Sequence, residues 1–356
     1  MVTNQMQRRS LLKAAGAAGI VGLAGCLGDS DDTESDEDGV TQVELATATS
    51  GSSSQANASA LSVAADEHSD VISIATTLTD GWAANPYLYD TGENYAISTD
   101  TYTALNAANQ AGQFEENPVN TLPGQGMHLS ADQLYMVAVD GSGIESTADI
   151  GPEHNIYPTQ PGFGARAITL ELFEASGLDD QIDDYVDINV GDAAGAVEEG
   201  RIDALVVYGG NSLSLVGWAV EVDVRSDLHL VELEDSVVDA IDDVDGLRME
   251  TLSPEDHGWE QDITSVTDEI VSWVQDGLWW FGPEVSNEAA YEICRLRHEH
   301  NDLIMDTDSQ SADHSDPADM TNGFIDELPI HEGAAEFYQE HDVWDDNWTE
   351  GNQYEI

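Results

Sequence analysis

Apolar and polar positions switch along this chain between a period of two and a period near 3.6. Val43-Glu44-Leu45-Ala46-Thr47-Ala48 alternates and predicts a strand. A loop of small residues follows over 49–54. Residues 55–68 then place Ala60, Leu61 and Ala64 on one helical face. Val71-Ile72-Ser73-Ile74-Ala75 predicts a second strand, residues 85–88 a short helix, and Tyr95-Ala96-Ile97-Ser98 a third strand. Strands that alternate with helices predict an α/β layer with a parallel core.

The middle of the chain repeats this rhythm. Residues 133–139 predict a buried strand, and Ser146 caps a short helical turn. Residues 155–159 predict a strand that ends in Pro161-Gly162-Phe163-Gly164. A helix over 164–176 has Ile168 and Leu172 four apart and Gly177 as its stop. Asp192 opens a small helix that ends at Gly200, and residues 202–208 predict another buried strand, ending in Gly209-Gly210-Asn211. Beyond residue 233 the pattern changes. The β-branched, alternating stretch 262–274 predicts a crossing strand, 287–300 a helix, 306–319 an acidic surface loop, and 332–338 a last helix. No internal repeat is visible.

The first residues follow a different pattern. Gln7-Arg8-Arg9-Ser10-Leu11-Leu12-Lys13 is a twin-arginine sequence, an apolar run follows, and Leu23-Ala24-Gly25-Cys26 is a lipoprotein cleavage box. The apolar run from Leu11 to Gly25 falls short of the roughly 20 residues that span a bilayer. These features predict a signal peptide over 1–25, export of the folded chain, and a lipid anchor on Cys26 that holds the protein to the outer face of the cell membrane. Residues 26–39 are polar and acidic, as expected of a disordered tether. Cys294 is then left without a partner, and no disulfide is expected.

Charge narrows the classes of partner. The chain has 71 acidic and 9 basic residues, a formal net charge of −62. Arg8, Arg9 and Lys13 fall in the signal, so the remainder keeps no lysine. Nucleic acid is excluded as a partner, since phosphate binding needs clustered Lys and Arg. Schiff-base and P-loop mechanisms are excluded with the lysine. The 41% apolar content, with eight Trp and eleven Tyr, supports a core rather than a disordered chain. The combination predicts adaptation to very high salt, where a screening length of about 3 Å at 1 M weakens repulsion between carboxylates.

Candidate chemistry lies in loops that follow strands, where open α/β sheets bind ligands. Four stand out: Ser50-Gly51-Ser52-Ser53, Ser98-Thr99-Asp100, Gly162-Phe163-Gly164-Ala165, and Tyr208-Gly209-Gly210-Asn211. Each taken singly is also an ordinary turn; two in each half of the chain point to a cleft. The start of the 164–176 helix favours an anionic group, and Arg166 either joins in binding it or pairs with a nearby acid. No nucleophile elbow or Cys-His pair is present, so no catalytic residue is assigned. No metal or cofactor is expected either. His298 and His300 are two apart and diverge on a helix, and Asp306, Asp308 and Asp313 lack the spacing of a calcium loop. Trp279-Trp280-Phe281 reads as core or lobe contact.

From residue 43 to about 343 the chain resembles the TAXI family of substrate-binding receptors of tripartite ATP-independent (TRAP) transporters, as a lipoprotein of haloarchaeal type. The resemblance is carried by an ordered series: Ala46-Thr47-Ala48-Thr49-Ser50-Gly51; Asp80 and Asn85, then Gly92-Glu93-Asn94-Tyr95-Ala96-Ile97-Ser98-Thr99-Asp100; Asp140-Gly141-Ser142-Gly143-Ile144-Glu145-Ser146; Pro161 to Arg166; Glu199-Gly200-Arg201-Ile202-Asp203-Ala204; Gly209-Gly210-Asn211; and Leu328-Pro329-Ile330-His331-Glu332-Gly333-Ala334. It implies a two-lobed α/β fold of the type II periplasmic-binding-protein kind. Mixed or parallel sheets would be flanked by helices, with a cleft between the lobes. Residues 40–138 would begin lobe I, 139–250 form lobe II, and 251–356 return to lobe I with the C-terminal helices.

It further implies a non-enzymatic receptor. Such a receptor captures a carboxylate-bearing small molecule, an amino acid or organic acid, and delivers it to an ion-gradient-driven integral membrane permease. The ligand would lie against the four loops together with Trp82, Asn85 and Arg166. Phe163, Ala165 and Trp82 stand where the family carries smaller or hydroxylated residues, which points to a more hydrophobic acid. The receptor of an ABC-type importer, a ligand-sensing surface lipoprotein and, less well, an exported hydrolase are the other readings.

The charge makes a direct prediction. Thermal unfolding followed by circular dichroism is expected to shift sharply downward between molar and millimolar salt. An unchanged midpoint contradicts the salt adaptation.

Overall fold

A computed structural model describes residues 40–211, 213–308 and 310–356. The signal, tether and Cys26 expected above lie outside the described residues. The strands in chain order are β1 (Thr41–Ala46), β2 (Ile72–Thr77), β3 (Ala96–Asp100), β4 (Thr121–Val139), β5 (Ile156–Tyr157), β6 (Ala204–Gly210), β7 (Ser214–Leu215), β8 (Leu228–Leu230), β9 (Leu247–Leu252), β10 (Ile270–Phe281) and β11 (Gln353–Glu355). They join in one mixed sheet with the path β2-β1-β3-β10-β4-β6-β5. The alternating first section forms the parallel edge, β2-β1-β3, as the strand–helix–strand rhythm implies. The centre is antiparallel, because β10 returns between β3 and β4.

The helices follow the sequence pattern. Ser53–His68 starts two residues earlier than expected, because the Ser52 hydroxyl accepts from Gln55 N at 3.3 Å. Gly164–Ser176 ends at Gly177 with φ of 77°, a left-handed position that suits glycine. Asn287–Glu299 and Glu332–Glu340 pack together against the parallel half.

One strand is far longer than the sequence suggested, and another is displaced along the chain. β4 begins at Thr121, not at residue 133, and runs through Pro123, Gly124, Gly126, His128 and Asp132. Those residues break the apolar pattern that reveals a strand. Residues 262–269 are irregular, and β10 continues instead through Trp279-Trp280-Phe281, all fully buried. The 306–319 segment keeps Asp306, Asp313, Asp316 and Asp319 exposed, as expected, but is not wholly a surface loop. Its Asp308, Ser311, Ala312 and His314 are buried around the fully buried Arg297, whose guanidinium donates to Asn301 Oδ1 at 2.9 Å and Ser311 Oγ at 3.1 Å. Inward-facing polar side chains bonded to one another carry no apolar signal in the sequence.

β4 and β10 run through both halves of the sheet. One end of each lies among apolar clusters built on β1, β2 and β3: Met127 and Leu129 of β4, and Leu278, Trp279, Trp280 and Phe281 of β10. The other end lies among clusters built on β6 and the helix Gly164–Ser176: Leu134, Tyr135, Met136 and Val137 of β4, and Trp273 of β10. Between these cores the paired positions are Gln275↔Asp132, Asp276↔Ala131 and Gly277↔Ser130. The register slips on either side of Met127, at the Gly277/Leu278 and Trp279/Trp280 steps. Such bulges bend and twist a strand pair.

Gly126 lies at one slip, where a Cβ would come within 2.3 Å of the Phe281 ring. Gly126→Ala is therefore expected to lower stability by about 1–3 kcal/mol, as overpacking does. Urea unfolding in molar salt measures it, and an unchanged midpoint contradicts the packing described.

Candidate ligand-binding cleft

The loops that leave the carboxyl ends of the parallel strands meet loops from the other half of the sheet above the crossing of β4 and β10. A cavity of about 50 Å³ lies there. From the parallel half it is lined by Ala48, Thr49, Ser52, Ser53, Gly81 and Trp82. From the other half it is lined by Phe163, Gly164, Ala165 and Tyr208. Asp132 of β4 and Gln275 of β10 complete the lining. The volume holds a few water molecules at most, since one needs roughly 10–15 Å³.

The two sides are in close approach. A Cβ at Gly81 would sit 3.3 Å from Gly162 O, and one at Gly164 would sit 2.7 Å from Asp100 Oδ2 and 2.8 Å from Gln275 Nε2. At Gly277 a Cβ would sit 2.5 Å from the Trp82 ring. Glycine at these positions lets backbone and side chains from the two halves close on each other.

Two helices begin at this cavity from opposite sides. Ser53–His68 is capped by the Ser52 hydroxyl. Gly164–Ser176 starts after Phe163 with no side-chain cap. Arg166 N and Ala167 N donate to Phe163 O at 3.1 and 3.2 Å, and the two residues before them, Gly164 and Ala165, line the cavity at the positive end of the helix dipole.

The floor is acidic and incompletely paired. Asp132 is 5% exposed, and its Oδ1 has no hydrogen-bond partner. Burial pushes its carboxyl up to about 7, with Asp100 and Asp276 adding repulsion. Asp100 is fully buried and caps the helix Thr101–Asn109, accepting from Thr103 N at 2.8 Å and Thr103 Oγ1 at 2.7 Å. Burial raises its pKa against those bonds. The Gln275 amide lies close to Asp100 and favours its ionised form, yet it makes no hydrogen bond of good geometry, and both its Nε2 and Oε1 stay unpartnered. Trp82 Nε1 is a third orphan. Buried polar groups are ordinarily paired, so three such side chains around one cavity make it a candidate binding site.

Asp276 behaves differently. Burial raises its pKa, but His128 at 3.6 Å and Arg248 at 3.1 Å outweigh this and hold it below the ordinary carboxylate value. His128 in turn bonds His314 at 3.0 Å. This chain of groups lies on the far side of the crossing strands, along a second cavity of about 240 Å³.

Among the expected site residues, Ser52, Ser53, Trp82, Phe163, Gly164, Ala165 and Tyr208 come together around the cavity. Asp100 and Gly162 touch its rim from behind Gly164 and Gly81. Ser50 and Gly51 lie on the exposed turn outside it. Asn85, Ser98 and Thr99 hold the loop that carries Trp82: Asn85 Nδ2 donates to Thr47 O at 2.7 Å and Ser98 O at 2.6 Å, and Thr99 Oγ1 donates to Trp82 O at 3.1 Å.

Gly209 packs against His257. Asn211 pairs with β4, exchanging bonds with Ala131 at 2.8 Å, and Gly210 lies beside it under Gln310. Arg166 turns away from the cleft. Its guanidinium donates to Thr159 O at 2.9 Å, Val186 O at 3.3 Å and Asp187 Oδ1 at 2.5 Å, and stands 5.9 Å from the Tyr185 ring. Of its two sequence readings, pairing with a nearby acid is the arrangement seen.

Sequence reasoning missed Ala48, Thr49, Gly81, Asp132 and Gln275 as lining residues. The available signal was the polar Gln275-Asp276-Gly277 step within an apolar run, and Asp132 just ahead of one. A larger open groove of about 650 Å³ lies near Thr101, Gly246, Arg248 and Tyr354. None of its lining residues carries an unpartnered buried polar atom. The cavity of about 240 Å³ has two, His128 Nε2 and His314 Nδ1, but neither the loops after β1 and β2 nor the start of the helix Gly164–Ser176 line it, so the smaller cavity is the candidate site.

The sequence model of the NMT1-like family matches residues 45–341. No curated protein matches the chain. Among solved structures, the chain is similar to the periplasmic aliphatic sulphonate binding protein from Escherichia coli, at 12% identity over 85% of this chain and 91% of that one, with a TM-score of 0.41. It is also similar to the ligand binding component of an ABC-type import system from Staphylococcus aureus with zinc bound, at 10% identity over 87% and 96% of the two chains, with a TM-score of 0.43. Likenesses this distant carry no ligand or residue role to this protein.

The raised pKa of Asp132 has a measurable sign. Between about pH 4 and pH 7 the folded chain keeps a proton that the unfolded chain has lost, so wild-type stability falls as pH rises through that window. Asp132→Asn does not titrate. Its stability relative to wild type is expected to grow across the window, by on the order of a few kcal/mol, and to level off above pH 7. A pH-independent difference contradicts the burial of this carboxyl.

Proposed function

We infer that this chain, which belongs to the NMT1-like family, is an extracytoplasmic solute-binding receptor that closes its two lobes on a small molecule in the cleft at Trp82, Asp132 and Ala165. The observation that carries this reading is the cavity itself. It is built from loops of both halves, above the two strands they share, and three of its buried side chains have polar atoms without partners. Closure about the crossing of β4 and β10 is hinge motion of the kind that traps ligands between lobes.

The chemistry of the lining supports binding rather than catalysis. It has no nucleophile–base pair within reach, and among the described residues no group of three or more His, Cys, Asp or Glu is placed to hold a metal ion. The resemblance of residues 43–343 points to a TRAP-type integral membrane permease as partner; membership of the NMT1-like family fits an ABC-type importer equally well. The carboxylate that the resemblance implies on the ligand would find its donors at the uncapped start of the helix Gly164–Ser176. The signal sequence and cleavage box support export and a lipid anchor at Cys26, which would keep the receptor beside its permease.

Gly164→Ala tests the cleft. Its Cβ would meet Asp100 and Gln275 only when the halves are together, so the variant is expected to fold as wild type does and to bind solute at least about tenfold more weakly, a cost of about 1.4 kcal/mol or more. Thermal-shift screening of metabolites in molar salt followed by calorimetry measures it. Equal affinity of the two proteins contradicts closure at this site.

A further inference from the structure

We propose that the ligand carries an ammonium group, held by the Asp132 carboxylate in the cleft lined by Trp82, Phe163 and Tyr208. The assignment rests on the solute-binding reading above and concerns the charge of what is bound.

The cavity is lined by twelve residues, none of them Lys, Arg or His. The nearest candidates for a counter-charge are committed elsewhere: Arg166 to Asp187 and two carbonyls, Arg248 to Asp276 and Glu250. Among the described residues, Asp132 is therefore a buried acid with one oxygen free and no cation acting on it. Gln275 Oε1 is a second unpartnered acceptor in the same lining. The charged and titratable groups that act on Asp132 are Asp100 and Asp276, which repel its negative charge, and Tyr208 stands close enough to feel it.

The field in the cleft is thus negative at its floor. A group that enters there must bring positive charge or leave Asp132 protonated. Three aromatic side chains line the same cavity, and ring faces attract ammonium groups, alkylated ones included. A bare carboxylate would meet like charge in a poorly screened site.

A ligand with both charges has a place for each: its carboxylate at the start of the helix Gly164–Ser176, its ammonium at Asp132. A carboxylic acid without an amine satisfies only the first. Binding an ammonium favours the ionised carboxylate, so Asp132 gives up its proton to solvent as the ligand enters.

The test is calorimetry at pH 7 in molar salt, on wild type, Asp132→Asn and Asp132→Glu, with folding checked by circular dichroism. Three probe classes are used: the twenty amino acids; trimethylglycine and choline; and acids without an amine, such as 2-oxoglutarate and succinate. The expected result is that a probe from the first or second class binds wild type, with proton release read from the dependence of the enthalpy on the buffer. It is also expected to bind Asp132→Asn about 10–100-fold more weakly, with Asp132→Glu recovering part of the loss. Binding of an amine-free acid equally by wild type and Asp132→Asn overturns the assignment and leaves the receptor reading standing. An ammonium probe that binds both equally does the same. Failure of all three classes to bind wild type overturns both.

Discussion

The structure depends on a polar step set into two shared strands. β4 and β10 each leave one hydrophobic core and enter another, and between the cores they carry Ser130, Ala131 and Asp132 opposite Gln275, Asp276 and Gly277. Burying such groups costs stability unless they find partners. Asp276 has them in His128 and Arg248; Asp132 and Gln275 do not. A core filled only for stability would be apolar at that step. The unpaired half of it faces the cavity, so its cost is offset only when another molecule supplies the missing contacts.

The rest of the cleft follows from that crossing. In the proposed receptor the strands change cores at the polar step, so each half of the sheet would keep its own packing if the angle between them changed. The glycines set how close the halves come: Gly81 against Gly162, and Gly164 against Asp100 and Gln275. The loop that carries Trp82 is held from beneath by Asn85 and Thr99, so the indole is positioned by bonds that lie outside the cavity. Residues that look like ligand contacts in the sequence thus divide into those that line the cleft, those that hold the lining in place, and those, Ser50, Gly51 and Arg166 among them, that do neither.

Much of this was legible in the sequence, and the reasons for the misses are physical. The alternating stretch at 43–48, the helical spacing at 55–68 and the Gly177 stop each express one local preference, and each element is found. The ends of strands and starts of helices were visible as glycine- and serine-rich loops. The long crossing strands were not, because Pro123, Gly124, Gly126 and the polar residues through Asp132 contradict strand propensity locally and are overruled by pairing with β10, and at the start of β4 with β11. Asp132 and Gln275 were invisible as site residues for the same cause. An acid in a strand reads as solvent-facing until the partner strand is known. Arg166 was legible as a charge near a helix start, but its direction is set by Asp187 and Val186, some twenty residues away in sequence.

The central claim is that the cleft above the crossing strands holds the solute, with Asp132 as the contact that selects it. A crystal structure grown in molar salt with the best-binding solute tests this most directly. The account expects the solute between Trp82 and Ala165, with a positively charged nitrogen facing Asp132 Oδ1, at hydrogen-bond distance where it carries N–H and in contact through its methyl groups where it does not. A solute seated instead in the open groove beside Arg248, or in the cleft with an anionic group against Asp132, would contradict it.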